Sequence, residues 1–276
     1  MNYRHAFHAG NFADLVKHAA LLWLLDRWVA QPSPLTIVDT HAGAGLYDLS
    51  DPSAVRSGEA SEGVLRLCAA DPPAALAPLA AAVRALNPGA VASYPGSPWL
   101  ICSALRQEDS YVACELREDD YARLEALLRG TAKPAVARPQ DGYEVAVELA
   151  LRAPGQLFLL IDPPFEQADD YLRIAETLER ITAIQPSVRA LVWLPLKDLE
   201  TLDAFARDLE RRGLGPGLIA EARLRPLTNP LRLNGCAVMA LRPPDGFEAA
   251  VQAICAAVVD ALGGPGGMAR TWRLSI

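Results

Sequence analysis

Histidine and cysteine are both scarce in this 276-residue chain, which has four histidines and five cysteines. The cysteines form no CxxC pair and show no Cys/His spacing of the kind that metal sites use. These absences argue against a disulfide framework and against zinc, so we expect a protein of the reducing cytoplasm that uses no metal. All four histidines, His5, His8, His18 and His41, lie near the start of the chain, which suggests that they gather around one site.

Long apolar runs and an excess of positive charge are also missing. No apolar stretch of about 18 residues runs without interruption, and no secretory signal pattern is present, so we expect no membrane association. The net charge of −7 excludes a broadly basic protein that coats nucleic acid, although a local basic patch remains possible. The apolar fraction of 51% is high enough for a sizeable core.

Along the chain, segments with the pattern of a strand alternate with segments with the pattern of a helix. Apolar side chains recur at helical spacing over 12–29, for example. Buried strands are predicted at 35–39, 111–115, 134–138, 157–162, 189–194, 217–224 and 236–241, with a short terminal strand at 271–274. This alternation predicts an α/β fold with a mostly parallel seven-stranded sheet and helices on both faces.

One stretch, residues 47–95, interrupts the alternation. It contains no strand candidate and is rich in alanine, leucine and proline. We therefore predict a helical insertion after the first strand, within a single domain that spans residues 1–276. We refer to residues 47–95 as the helical insertion.

The most informative motif is Asp162-Pro163-Pro164-Phe165, which follows an apolar strand. Open α/β sheets bind ligands at the carboxyl ends of their strands. The two prolines cannot donate hydrogen bonds, so the turn offers only acceptors beside an aromatic ring. Such a turn suits a flat heteroaromatic ring with an amino group, whose hydrogens Asp162 and the Pro163 carbonyl would accept while Phe165 stacks on the ring. Alternatively, the motif is only a turn that ends the strand, with Phe165 packed in the core.

A glycine turn follows the first strand, with Gly43 and Gly45 in the string DTHAGAG at residues 39–45. Glycines there let the backbone pass close to a ligand, so Gly43 is a candidate cofactor contact. A dinucleotide fingerprint needs a third glycine where this chain has Asp48, and no GKS or GKT follows. An adenosyl ligand without phosphates therefore fits better than a dinucleotide.

Further acceptors lie beyond the other strands. Glu115 ends the second strand, where a carboxylate can bind both ribose hydroxyls, and the helical insertion would account for its unusual distance from the glycine turn. Asp141-Gly142 follows the third strand and could take an adenine amine, although Asp-Gly is also an ordinary turn. Ser97, followed by a proline, has the pattern of a helix N-cap.

Several of these strings together resemble the RlmJ family, bacterial 23S ribosomal RNA adenine-N6-methyltransferases that use S-adenosylmethionine (SAM). The strings are YRHAFHAGN at 3–11, Asp14 with Lys17 and His18, DTHAGAG at 39–45, YPGSP at 94–98 and IDPP at 161–164. The resemblance extends from residue 2 nearly to the C-terminus. It implies a Rossmann-like SAM-dependent methyltransferase fold and methylation of adenine 2030 of 23S rRNA, with S-adenosyl-L-homocysteine as the other product.

Carried over residue by residue, the resemblance also implies roles for individual side chains. It assigns cofactor contacts to Lys17, His18, His41, Ser97, Glu115, Asp141 and Gly142. It makes Asp162 the group that engages the amine and places Tyr3 against the RNA. The family commonly has tyrosine where this chain has Phe165, which preserves stacking but removes the phenol hydroxyl.

The RNA partner also needs phosphate contacts. The candidates are Arg4, Arg223, Arg225 and Arg232. We expect residues 1–12 to close over the cofactor and meet the 23S rRNA, and the protein to act as a monomer without an obligate protein partner.

The sequence leaves three alternative functions to be considered. The same chemistry could act on DNA adenine, on another RNA or on a protein amide, because the Asp-Pro-Pro-Phe turn does not distinguish these. A nicotinamide-dependent oxidoreductase is disfavoured by Asp48. A non-catalytic nucleotide-binding module is disfavoured by the intact Asp162.

Overall fold

The computed structural model describes residues 7–153, 155–229 and 233–275. Within them, the strands are β1 Leu35–Asp39, β2 Leu46–Asp48, β3 Ser93–Pro95, β4 Ser110–Cys114, β5 Ala135–Arg138, β6 Gln156–Ile161, β7 Arg189–Leu196, β8 Gly217–Arg223, β9 Gly235–Leu241 and β10 Met268–Arg273. The helices are α1 Phe12–Val29, α2 Pro52–Ser57, α3 Glu59–Glu62, α4 Val64–Ala69, α5 Ala77–Leu86, α6 Ser97–Ala104, α7 Glu118–Arg129, α8 Gly142–Ala150, α9 Asp170–Ile184, α10 Leu199–Arg211 and α11 Phe247–Leu262.

Eight of these strands form one sheet in the order β10-β8-β9-β7-β6-β1-β4-β5. The five strands from β7 to β5 are parallel, and β9, β8 and β10 are antiparallel to their neighbours. The mostly parallel α/β fold is confirmed. The count of seven strands was wrong, because the terminal strand β10 pairs with β8 along its whole length and extends the sheet.

The central parallel strands β1, β4 and β6 are buried on both faces, which explains their continuous apolar sequences. Successive side chains of a strand point to opposite faces. In β1, Ile37 joins one core and Val38 the other, and Phe158 and Leu159 of β6 divide in the same way. The first core contains α1, α6, α11 and the helical insertion, whereas α8, α9 and α10 cover the second.

Helix α1 has a well-defined start. The Asn11 side chain accepts hydrogen bonds from the backbone N–H groups of Ala13 and Asp14, at 2.9 and 3.0 Å. Such a cap satisfies donors that have no partner within the helix and contributes about 1 kcal/mol. This cap places Lys17 and His18 on the second turn of a buried helix.

Helix α11 was not predicted from the sequence. It is rich in alanine and valine and apolar on much of its surface, so it lacks the polar face that reveals most helices. It packs against α1 and β8 and so completes the first core.

The helical insertion contains helices α2 to α5, as expected, but it is not free of strands. Its ends are joined by the short antiparallel pair β2 and β3, in which Leu46 lies opposite Pro95. Strands of three residues are too short to show an alternating pattern, which is why they were missed. The pair brings the Tyr94–Pro98 segment next to the glycine turn.

The strand order changes direction at β1. From β1 the chain moves outward to β4 and β5, and then returns to β6 on the other side of β1. The loops that leave β1 and its neighbours diverge at such a point and open a crevice at the carboxyl ends of the strands. Glu115 and Asp162 line this crevice, and the buried Asp39 ends β1 at the same edge of the sheet.

Within the described ranges, no helix is both long and apolar enough to cross a membrane.

Candidate active site

A first cavity opens at the carboxyl ends of β1, β4, β5 and β6. It is lined by every residue that the sequence assigned to the cofactor: Lys17, His18, His41, Gly43, Ser97, Glu115, Asp141 and Gly142. Asp162 and Pro163 line the same cavity. Residues that are far apart in sequence therefore meet because four strands end at one place.

Two glycines allow the backbone to form the wall of the first cavity. A Cβ atom on Gly142 would lie 2.2 Å from the carbonyl oxygen of Thr40, so α8 can start against the end of β1 only with glycine there. Gly43 has φ of +61°, a left-handed conformation that side chains disfavour, and a Cβ there would lie 2.2 Å from the Tyr47 hydroxyl.

Glu115 follows β4 at the rim of the first cavity. Its carboxylate accepts hydrogen bonds from the backbone N–H groups of Gly43, at 3.0 Å, and Arg117, at 2.8 Å. Burial raises its pKa above the usual value. Each oxygen is held by one donor and keeps a lone pair, which is the arrangement needed to accept a ribose hydroxyl.

Asp141 is the N-cap of α8 and is held from two sides. It accepts from the backbone N–H of Tyr143 at 2.9 Å and from the Arg173 guanidinium at 2.6 Å. Burial raises the pKa of Asp141, but these hydrogen bonds outweigh burial and leave it below its usual value. Arg173, which also lies over the Tyr143 ring at 4.6 Å, was not identified from the sequence.

Ser97 does not act as the helix cap that its sequence suggested. Gly96 occupies the N-cap position of α6, and the Ser97 hydroxyl donates to a buried carboxylate oxygen, Asp39 Oδ2, at 2.7 Å. The Tyr111 hydroxyl donates to the same oxygen at 3.1 Å. No donor among the described residues reaches the other oxygen, Oδ1. Asp39 was not assigned a role from the sequence, because a strand-ending aspartate has no local signal of burial.

The two described histidines of the first cavity differ in their surroundings. His18 is buried and shares a 2.7 Å hydrogen bond with the Tyr94 hydroxyl, and so ties α1 to the helical insertion. His41 shares a 2.8 Å hydrogen bond with the Thr40 hydroxyl. Burial lowers the pKa of His41 to about 4, so its imidazole is neutral at physiological pH.

Lys17 connects α1 to the Asp-Pro-Pro-Phe turn. Its ammonium group is 2.9 Å from Asp14 and 2.5 Å from Asp162, and both Lys17 and Asp14 are buried. Burial lowers the pKa of Lys17, but the two carboxylates together raise it well above its ordinary value. Lys17 therefore remains charged at neutral pH and holds one oxygen of Asp162, whose other oxygen has no hydrogen-bond partner among the described residues.

A second cavity, of about 330 Å³, lies on the other side of the same turn. Phe165 lines it, together with Trp193 of β7, and their ring centroids are 5.8 Å apart. Phe165 has φ of +51°, a strained conformation for a bulky residue and one that often occurs at functional sites. Lys17, Asp162, Pro163, Pro164 and Glu166 line both cavities, so the turn forms the partition between them.

The remaining predicted RNA contacts have different outcomes. Tyr3, Arg4 and Arg232 lie outside the described residues. Arg223 was a poor candidate, because its guanidinium is largely buried and bound to Glu221 within the sheet. Arg225 lies in a third cavity, described below.

Comparison with known proteins identifies the family. Residues 32–274 match the family model described as "Ribosomal RNA large subunit methyltransferase D, RlmJ". This chain belongs to the RlmJ family. It is therefore a SAM-dependent methyltransferase of large-subunit ribosomal RNA.

Two curated relatives carry the name of this family, and one solved structure is similar to the whole fold. Ribosomal RNA large subunit methyltransferase J of Escherichia coli (strain K12) is 30% identical over 251 residues, covering 90% of this chain and 89% of the relative. The protein of the same name from Haemophilus influenzae is 27% identical over 257 residues, covering 92% and 91%. A crystal structure of a Legionella pneumophila protein aligns with a TM-score of 0.87 at 25% identity, covering 97% of this chain and 99% of that one.

The first cavity suits the cofactor of this RlmJ-family enzyme. SAM has cationic sulfonium and ammonium groups, a ribose and an adenine. Carboxylate acceptors line the cavity, including Glu115 and Asp141 at its rim and Asp162 in its wall. Among the residues that the structure describes, no three histidine, cysteine or carboxylate side chains are placed to bind a metal ion together.

Proposed function

We propose that the chain methylates N6 of one adenine in 23S rRNA, adenine 2030 by its resemblance to the family, with SAM in the first cavity and the adenine in the second. The observation that carries the proposal is that Asp162 and Pro163 line both cavities. Only a group in this partition can touch the amine while the methyl donor is bound on the other side.

On the cofactor side, the residues have distinct tasks. Glu115 accepts from the ribose hydroxyls and Asp141 from the adenine amine, each carboxylate being fixed in place by hydrogen bonds from the protein. Gly43 and Gly142 let the backbone approach the ligand. Lys17, His18, His41 and Ser97 line the remaining wall. The cofactor supplies an electrophilic methyl group on sulfur.

On the substrate side, the partition must orient a weak nucleophile. The adenine N6 lone pair is delocalised into the ring. If the free oxygen of Asp162 and the carbonyl of Pro163 each accept one amine hydrogen, the lone pair points towards the methyl group for an in-line transfer. Orientation of this kind can contribute roughly 7–11 kcal/mol to the lowering of a reaction barrier.

Lys17 makes Asp162 an acceptor in a fixed orientation rather than a strong base. The ammonium group binds one carboxylate oxygen and neutralises its charge, so the other oxygen is aimed without being free to rotate. The amine proton becomes acidic only as the C–N bond forms. Asp162 is then the nearest acceptor for it.

The adenine must leave its stack to enter the second cavity. Phe165 and Trp193 provide aromatic surface there, and stacking of a base on an aromatic side chain contributes about 1–3 kcal/mol. Enzymes of RNA favour loops and unpaired ends, where the cost of unstacking is lowest.

The decisive experiment is transfer of a labelled methyl group from SAM to transcribed 23S rRNA by the Asp162→Asn variant. The neutral amide gives the Lys17 ammonium group no charge to pair with and cannot take the proton, so we expect turnover to fall by at least about 100-fold. Calorimetry should still detect SAM binding. Asp198→Asn is the matched control, because Asp198 caps α10 beyond the neighbouring strand and asparagine caps a helix equally well.

Near-normal turnover by Asp162→Asn would show that the partition does not orient the amine. Methylation of duplex DNA in preference to rRNA would instead support the alternative substrate. Mapping the methylated nucleotide by mass spectrometry tests the target position.

Further properties belong to the same proposal. We place the enzyme in the cytoplasm as a metal-independent monomer forming one domain. All five cysteines are free thiols, which is typical of a reducing compartment. Residues 1–12, with Tyr3 and Arg4, are proposed to cover the cofactor and contact the RNA.

A further inference from the structure

A third cavity, of about 430 Å³, lies beside the second one. Its walls come from the helical insertion, from the start of α1 and from the segment that follows β8. Asn11 and Leu233 line both the second and the third cavity, so the two meet there. The third cavity is therefore adjacent to the place proposed for the target adenine.

Basic side chains without partners concentrate along these two cavities. In the described part of the chain, most basic side chains are engaged in ion pairs, hydrogen bonds or ring contacts. The exceptions are Arg66, Arg123, Lys197, Arg207 and Arg225. Arg66 and Arg225 line the third cavity and Lys197 lines the second, so three of these five charges face two adjacent cavities.

We propose that the second and third cavities together form a track for the RNA strand that carries the target adenine, with Arg66, Arg225 and Lys197 as its phosphate contacts. This proposal rests on the proposed function and adds to it a role for the helical insertion. Arg66 belongs to the insertion, and Arg225 and Lys197 belong to loops of the sheet. The insertion thus supplies one wall of the substrate site rather than only enclosing the core.

The local charge favours a single nucleic-acid strand as the occupant. The whole chain carries a net charge of −7, so a polyanion must be attracted by a local cluster of cations. Of the two carboxylates in the third cavity, Glu59 is engaged with His8 at 2.8 Å and with the Asn11 amide at 2.9 Å. Glu62 is exposed and has no partner among the described residues, so it is the carboxylate of this cavity that should oppose RNA most.

The test measures binding of the full chain to a transcribed 23S rRNA fragment at 50 and 200 mM salt. Each phosphate contact on a single strand contributes about 0.7 to the slope of log affinity against log salt. The double variant Arg66→Gln/Arg225→Gln should therefore lower the slope by about 1.4. Its affinity should then change about sevenfold less than that of the wild type over this fourfold range of salt.

The matched control is Arg123→Gln/Arg207→Gln, which removes two equally unpartnered, exposed arginines outside both cavities. It should leave the salt slope unchanged. Glu62→Gln should tighten binding, because it removes the opposing charge. In turnover assays the Arg66/Arg225 double variant should raise the half-saturating RNA concentration while the rate at saturating RNA stays the same.

The outcomes separate this proposal from the proposed function. If wild-type protein methylates rRNA but the Arg66/Arg225 variant binds RNA like the control, the track is wrong and the methyltransferase proposal stands. If the salt slopes behave as expected but no methyl group is transferred to rRNA, the track is supported and the proposed reaction fails. Unchanged or weaker binding by Glu62→Gln would also count against the track.

Discussion

Replacing Asp39 with asparagine should make the protein more stable at neutral pH, because it removes a buried carboxylate at the end of β1. Asp39 is fully buried, and the hydroxyls of Ser97 and Tyr111 both donate to a single one of its oxygens. Burial raises the pKa of Asp39 from 3.8 to about 6. The folded protein therefore bears a cost for keeping this charge without full compensation.

The direction of the pH dependence follows from the two pKa values. Below about pH 4 the Asp39 carboxyl is protonated in both states and contributes nothing. Between about pH 4 and 6 the folded state keeps a proton that the unfolded state has released, so stability falls as pH rises. Above about pH 6 the full cost is present. A difference of about 2 pKa units corresponds to about 3 kcal/mol.

Urea denaturation of the wild type and of Asp39→Asn between pH 4 and pH 7.5 measures this cost. The difference in the free energy of unfolding, variant minus wild type, should grow by about 3 kcal/mol in favour of the variant as pH rises. Asp48→Asn is the control, because hydrogen bonds from Ser50 lower the pKa of Asp48 below 3.8, so Asp48 titrates below this pH range and its difference should stay nearly constant. A difference that stays constant with pH would refute the argument that Asp39 is a buried charge.

Two further predictions concern a glycine and a histidine. Gly142→Ala should destabilise the protein by about 1–3 kcal/mol in thermal or chemical unfolding, because the added Cβ would meet main-chain atoms at the end of β1. Gly89→Ala, where no atom lies within 4 Å of the added Cβ, should show no such loss, and equal effects would contradict the packing argument. An NMR titration should find the pKa of His8 above 6.5, raised by its hydrogen bond to Glu59, and Glu59→Gln should lower it. No change in that variant would show that the contact does not persist in solution.

The sequence was sufficient for the elements whose signals are local. The bounds of α1 and β1 were predicted to the residue, because one has a clear helical spacing that ends before prolines and the other is a short apolar run. The Asp-Pro-Pro-Phe turn was placed correctly at the end of a parallel strand, because its prolines and the preceding apolar run are adjacent in sequence. The helical pattern of apolar residues was weaker in α11, because both sides of that helix are largely apolar.

The sequence also named the members of the first cavity, although it could not give their contacts. The glycine turn and the strand-ending carboxylates are motifs that can be located one at a time, and the resemblance to RlmJ proteins joined them into one set. Ser97 shows the limit of such an inference. Its neighbour Pro98 indicated a helix start, and only the folded chain shows that its hydroxyl serves Asp39 instead.

The sequence by itself determined which segments form most of the strands and helices, and which residue types lie at the strand ends. Both depend mainly on neighbouring residues along the chain. The tertiary structure alone decided that Lys17 binds Asp162, that Asp39 is buried with one free oxygen, and that two cavities share a partition. These features depend on the order of strands in the sheet, which brings together residues separated by more than 100 positions. No local pattern records such distances, because burial and charge pairing arise only when the separate segments pack.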